Sequence, residues 1–298
     1  MNARYRIPGM LLTMLGGICW GFSGSVGQYL FTVEQMDSRW LVPIRLGAAG
    51  ILMLLLYTWK FGRAVLEPWR DRAEIRELLV YGLLGISGCQ FTYFLTIQLS
   101  TAAIATILQD LAPVWILLYS CLAVKRLPRL SELFSICLAL LGVALIASHG
   151  ELRNLAASSS ALLTGVICAF CVLIYNVVPG RLMRKYPVFL LQGWAFLLGG
   201  IVLALLFRPW SYHYVPSLCG LLGIAFVVLI GNVAAFTAYM TGVKMIGPEK
   251  AVLYGFSEPI SAAVIGTLCF RNPFTSADVL GFLCVFLMLA LISTKKEA

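Results

Sequence analysis

Apolar residues run through this chain in blocks of about 20, separated by short clusters rich in charged residues, Gly, Pro and Ser. A helix rising ~1.5 Å per residue needs roughly 20 residues to cross a hydrocarbon core about 30 Å thick. Water is excluded there, so each block must satisfy its own backbone groups, which a helix does. The pattern predicts ten spans, near residues 9–30, 39–59, 77–98, 101–123, 130–148, 160–179, 187–207, 216–240, 250–270 and 276–294. The connection from Gln98 to Ala102 is short enough that the third and fourth spans also read as one kinked helix.

The pattern repeats. Tyr93 to Ser148 lies against Tyr239 to Thr294 at a constant offset of 146 without a gap. Tyr93 then pairs with Tyr239, Pro113 with Pro259, Lys125 with Arg271, Glu132 with Asp278, and Leu145-Ile146 with Leu291-Ile292. Leu and Ile coincide often in membrane chains, so the prolines and the matching helix count carry the argument. The expected halves, 1–148 and 149–298, hold five spans each, and an odd number makes the second half enter the membrane from the opposite side. The expected fold class is therefore an all-α integral membrane protein built as a 5+5 inverted repeat. Halves related by a two-fold axis in the membrane plane can rock between outward-open and inward-open forms, a recurrent plan of secondary transporters. Gly17, Gly21 and Gly24 on the first span, and Gly82, Gly85 and Gly88 on the third, are small-residue stripes that let helix backbones approach closely.

Composition and charge sharpen this picture. Of 298 residues, 60% are hydrophobic and 12% charged, against about 25% charged in soluble domains, which excludes an ordinary cytosolic enzyme. A net charge of +9 would suit nucleic acid, but its distribution does not. Seventeen basic residues fall on one side of the predicted spans, whereas Arg39, Arg153, Arg208 and Arg271 fall on the other and Arg45 lies inside one. The positive-inside rule then predicts cytoplasmic termini, and the distribution suits the lipid bilayer as partner and no nucleic-acid role. Arg4 and Arg6 precede an apolar run too long for a cleavable signal peptide, so the first helix reads as a signal anchor. The nine cysteines sit within or at the ends of apolar runs and read as small hydrophobes. Cys168 and Cys171 form a C-x-x-C, but at midspan, where redox chemistry is not the expectation.

A charge at the centre of a membrane helix costs about 2.5 to 3.5 kcal/mol on insertion scales, so each one needs an explanation. Asp110 lies near the middle of the fourth span, Glu258 near the middle of the ninth, and Arg45 about two turns into the second. The fourth and ninth spans are partners under the repeat, which would turn both acids toward one cavity; the alternative is a protonated or Arg45-paired acid that merely holds the bundle together. A proline inside a helix removes the hydrogen bond to the carbonyl four residues earlier. Pro113 and Pro259 thus free the carbonyls of Gln109 and Gly255, and two helices interrupted at equivalent positions point to a midplane site. Gln90, Tyr93, Gln109, Asn176, Gln192, Asn232 and Tyr239 join the candidate polar lining, Gln192 lying 147 residues from Arg45 in the equivalent helix. Trp20, Trp115 and Trp194 are candidate aromatic walls that core packing explains equally well.

The chain resembles the drug/metabolite transporter superfamily, in its ten-helix type with two EamA-like repeats. The carriers of the likeness are Trp20-Gly21, Pro43-Ile44-Arg45-Leu46, and Leu111-Ala112-Pro113-Val114 running to Lys125-Arg126-Leu127-Pro128. In the second half they are Glu258-Pro259-Ile260-Ser261 and Asn272-Pro273-Phe274-Thr275. Where the family usually shows Gly-Glu before the proline of the last stretch, this chain has Arg271-Asn272, so a role for that glutamate does not transfer. The resemblance implies efflux of amino acids or similar small polar metabolites across the plasma membrane, by alternating access. Arg45 would attract a carboxylate, and Asp110, Glu258 and the freed carbonyls an ammonium; the acids also admit proton coupling.

Other classes fit less well. A lipophilic-cation drug exporter would use the same acids and aromatic residues, whereas a sugar-phosphate or nucleotide-sugar carrier would need several buried cations. Gly21-Phe22-Ser23-Gly24 matches the GxSG of rhomboid-type proteases, yet a serine nucleophile needs a base, and His149 and His213 fall in loops. A channel would draw its filter from an oligomeric ring. No GxxxxGK[ST] loop occurs, and no motif calls for a metal or cofactor.

Overall fold

The computed structural model describes residues 6–148, 150–151, 158–270 and 275–294. The predicted repeat boundary at 149, the Arg271-Asn272 departure, His149 and the basic residues Arg4, Arg153, Lys295 and Lys296 lie outside the described residues. Every regular element among the described residues is helical. The first half comprises α1 (Arg6–Thr32), α2 (Ser38–Phe61), α3 (Arg72–Leu79), α4 (Gly88–Leu99), α5 (Ala102–Gln109), α6 (Ala112–Val124) and α7 (Leu130–Ser148). The second comprises α8 (Ser159–Val177), α9 (Gly180–Lys185), α10 (Val188–Phe207), α11 (Leu218–Phe226), α12 (Ala235–Ile246), α13 (Pro248–Tyr254), α14 (Ser257–Phe270) and α15 (Ser276–Thr294). Among the described residues, seven helical stretches are long and apolar enough to cross a bilayer, and Leu130–Leu145 and Val279–Met288 are shorter apolar helices. The protein is an all-α, multi-pass membrane protein, in keeping with the plasma membrane. Leu55, Trp59, Leu122, Val124, Leu205 and Leu206 are exposed, as expected where lipid rather than water is the solvent.

Local chemistry sets the breaks between helices. Asp37 caps α2 by accepting from Arg39 N at 2.7 Å, and Thr101 caps α5 by accepting from Ile104 N at 3.2 Å, so α4 and α5 are separate helices. Both caps satisfy backbone donors that would otherwise be left over in the first turn. Asp110 and Leu111 interrupt the fourth span between α5 and α6, with Pro113 in the first turn of α6. Gly255 and Phe256 interrupt the ninth between α13 and α14, with Pro259 in the first turn of α14.

A second irregularity is shared by the halves. Between α3 and α4 the backbone is π-helical over Val80–Ser87, and between α11 and α12 it is π-helical over Val227–Ala234, the same eight residues displaced by 147. Each π segment inserts extra backbone into a helix and re-aims the side chains beyond it, which is why such segments concentrate at functional sites.

The packing follows the same symmetry. α2 lies against α10, α7 against α15, and α1 meets α12 as α8 meets α4. These contacts are close where glycine removes the side chain. A Cβ on Gly85 would sit 2.9 Å from Tyr175 Cβ, and one on Gly21 would sit 2.6 Å from Glu258 O. On that tight seam Ser257 Oγ donates to Met14 O at 2.8 Å and Ser261 Oγ to Ile18 O at 3.2 Å, which fixes α14, and with it Glu258, against α1.

Candidate functional site

A small cavity of about 20 Å³ lies where α1, α2, α4, α12 and the broken fourth and ninth spans converge. It is lined by Trp20, Arg45, Gln90, Tyr93, Gln109 and Glu258, with Ser23, Gly24, Cys89, Phe94, Tyr175 and Phe236 completing the wall. That volume holds roughly one water molecule, so anything larger enters only if the surrounding helices part.

Arg45 is 1% exposed, and its guanidinium is held by neutral groups. Nε and Nη2 donate to Asn232 Oδ1 at 2.9 and 2.6 Å, Nη2 also donates to Gln90 Oε1, and Cζ stands 3.9 Å over the Phe94 ring. Asn232 comes from the second π segment, and Gln90 follows the first by one turn. Nη1 is buried with no hydrogen-bond partner among the described residues. A buried cation with a free N–H and no counter-ion is costly unless an anion arrives to complete it.

Glu258, 5% exposed, shares the cavity without forming an ion pair to Arg45. Its Oε1 accepts from Tyr93 O–H at 3.2 Å, and the Tyr93 hydroxyl is 3.1 Å from Thr106 Oγ1. Because Glu258 sits in the first turn of α14 it also lies at the positive end of that helix's dipole. Trp20 donates from Nε1 to Gly231 O at 3.1 Å, and its ring lies 4.7 Å from Phe236 and 4.8 Å from Tyr239.

The sequence-predicted residues divide accordingly. Arg45, Tyr93, Gln109, Glu258 and Trp20 meet in one cavity. Asp110, next to Gln109 at the helix break, is not part of the wall, and its buried Oδ2 has no hydrogen-bond partner. Tyr239 and Asn176 bond to each other at 3.0 Å beyond the aromatic wall. Gln192 is fully buried elsewhere on α10, with neither end of its amide partnered. Gln90 and Asn232 belong to the polar lining expected from the sequence, and the structure brings both to Arg45. Phe94 and Cys89 carry no signal in the sequence.

A wider pocket of about 300 Å³, lined by Gln28, Phe31, Gln35, Asp37 and Gln98, opens at the Thr32 end of α1. Phe31 belongs to its wall, Phe94 to that of the central cavity, and the two rings meet edge to face at 5.8 Å.

The sequence model of the EamA-like transporter family matches this chain twice, over residues 7–148 and 159–294. A relative described as "Uncharacterized inner membrane transporter YicL" from Salmonella typhimurium is 33% identical over 285 residues, covering 96% of this chain and 95% of the relative. "Uncharacterized inner membrane transporter YedA" from Escherichia coli K12 is 26% identical over 243 residues, covering 79% of this chain and 74% of the relative. A solved crystal structure superposes with a TM-score of 0.74 at 16% identity over 98% of both chains, a likeness of fold.

Proposed function

The chain belongs to the EamA-like transporter family, and from that premise we propose that it exports small zwitterionic metabolites such as amino acids by alternating access. As a member it is a secondary transporter of small molecules rather than an enzyme. In this reading ten spans form two oppositely inserted halves with cytoplasmic termini. The double family match, the equivalent helix breaks and the equivalent π segments support that arrangement.

The observation that carries the substrate class is that Arg45, whose Nη1 has no partner among the described residues, lines the same cavity as Glu258. A zwitterion satisfies both groups at once. Its carboxylate completes the guanidinium with a charge-assisted hydrogen bond, and its ammonium meets the Glu258 carboxyl. Glu258 would also carry a coupling proton, as the carboxyl on the cavity wall. The Phe31–Phe94 contact closes the site on the outer side in this arrangement, and Trp20, Tyr175 and Phe236 form the aromatic floor, with Tyr239 packed behind them.

A lipophilic-cation exporter is the second reading, favoured by Trp20, Phe94 and Phe236 around Glu258. A sugar-phosphate carrier fits poorly, because Arg45 is the one cation in the described cavity wall. The test is counterflow of radiolabelled amino acids in proteoliposomes with the Asp110→Asn and Glu258→Gln proteins. Glu258→Gln is expected to reduce flux at least tenfold. Wild-type rates in both variants would overturn the assignment.

A further inference from the structure

Two thiols from opposite halves meet beside the central cavity. Cys89 Sγ on α4 and Cys168 Sγ on α8 are 3.7 Å apart, both buried, with Cys89 on the cavity wall. Both stand within sulfur hydrogen-bonding distance of Gln109 Oε1, Cys168 at 3.5 Å and Cys89 at 3.9 Å. The helices are held together here by glycine. A Cβ on Gly88 would lie 2.9 Å from Cys171 Sγ, one turn further along α8. Cys89 falls in the first family-matched segment and Cys168 in the second.

We propose that Cys89 and Cys168 are a peroxide-reactive dithiol whose disulfide ties the two halves together at the transport site. The oxidant is hydrogen peroxide, which has two heavy atoms to water's one and reaches the cavity of about 20 Å³ when the surrounding helices part. Hydrogen peroxide converts the Cys89 thiol to a sulfenic acid and leaves as one water. The Cys168 thiol then attacks the sulfenic sulfur, and the hydroxyl departs with the thiol proton as a second water. Two thiols and one peroxide thus become one S–S bond and two waters, the two electrons passing from sulfur to peroxide. Closing 3.7 Å to a bond of about 2.05 Å asks for rotation about the cysteine side chains at an already tight helix crossing. The product removes both thiol donors from Gln109, the last residue of α5 before the break in the fourth span, and cross-links α4 to α8.

The functional consequence rests on the alternating-access reading, since a covalent tie between halves arrests their rocking. The experiment uses the full chain in proteoliposomes with a protease site inserted between Gly150 and Ser158. After hydrogen peroxide and proteolysis, the halves are expected to migrate together on a denaturing gel without reductant and separately with it. Cys168→Ala and Cys89→Ala are each expected to abolish the linkage, and Cys171→Ala to keep it. Oxidised protein is expected to lose at least tenfold in flux, restored by a membrane-permeant reductant. Halves that separate after oxidation, or a linkage that survives Cys168→Ala, overturn the dithiol. Linked protein with undiminished flux overturns the lock. The gel needs no substrate, so a reduced protein that moves no amino acid refutes the transport reading while the cross-link stands.

Discussion

Arg45 and Gln192 occupy equivalent places on α2 and α10, 147 residues apart and on two helices packed against each other, yet their surroundings differ. Arg45 is clasped by Gln90 and Asn232, lines a cavity, and keeps one buried nitrogen without a partner among the described residues. The counterparts of those two residues are Thr237 and Gly85. At Gly85 the backbone of α8 comes so close that no side chain fits, and Gln192 and Thr237 keep buried polar atoms without partners. The scaffold is near-symmetric whereas the chemistry is not. In the proposed function, two interchangeable halves serve the rocking, and one off-centre site serves a substrate with a positive and a negative end.

The sharpest way to break this comparison is to erase the difference. Arg45→Gln makes α2 resemble α10 at this position. A charge-assisted hydrogen bond is worth about 1.5 to 3 kcal/mol, and each ~1.4 kcal/mol is tenfold in binding. Amino-acid flux should therefore fall by about 100-fold, while an amine lacking a carboxylate should lose much less, measured side by side in proteoliposomes. Equal losses for both would assign Arg45 to packing and favour the cation reading.

How much of this was legible beforehand follows the same division. Charges are so expensive in a bilayer that Arg45 and Glu258 stood out from the chain alone, and the prolines marked both interrupted spans. The π segments were invisible, because no residue type demands an extra residue per turn, and with them went the inward turn of Asn232 and Gln90 onto Arg45. Asp110 looked equivalent to Glu258 by depth. Depth fixes only distance along a helix, and the break at Asp110-Leu111 leaves its carboxyl outside the wall that Gln109 joins. Cys89 and Cys168 looked like any small apolar residues, since their meeting depends on which faces of α4 and α8 touch.

The two ends of the bundle extend the comparison. At one end Glu74 Oε1 takes a hydrogen bond from Lys185 Nζ at 2.6 Å and Oε2 takes one from Tyr186 O–H at 2.6 Å, joining α3 to the α9–α10 corner. At the other, both oxygens of Glu34 accept from Ser217 Oγ at 2.8 Å, and Tyr214 O–H donates to Glu34 O at 3.0 Å. Each fastening links the two family-matched segments, but one uses an ammonium where the other uses a hydroxyl. Lys185 is 60% exposed, so solvent screens most of the charge and the buried Tyr186 contact carries much of the worth. Glu74→Gln is expected to lower the apparent Tm in detergent by about 3 °C, the size of a ~1 kcal/mol loss. Ser217→Ala is expected to lower it by less. A reversed order would show that the hydroxyl end is the tighter closure.

The smallest expected effect is at Gln192, and it tests whether that helix position is silent. Both ends of its buried amide lack partners, and a buried polar group left unsatisfied costs about 1 to 3 kcal/mol. Gln192→Met keeps the side-chain length and removes those two liabilities. The apparent Tm should rise by about 2 °C, in line with a gain of ~1 kcal/mol, and flux should stay within twofold of wild type. If flux instead collapses, the unpaired amide is waiting for substrate in another conformation, as Arg45 does in this one. The halves would then exchange roles during the cycle, and the asymmetry between Arg45 and Gln192 would belong to one state rather than to the protein.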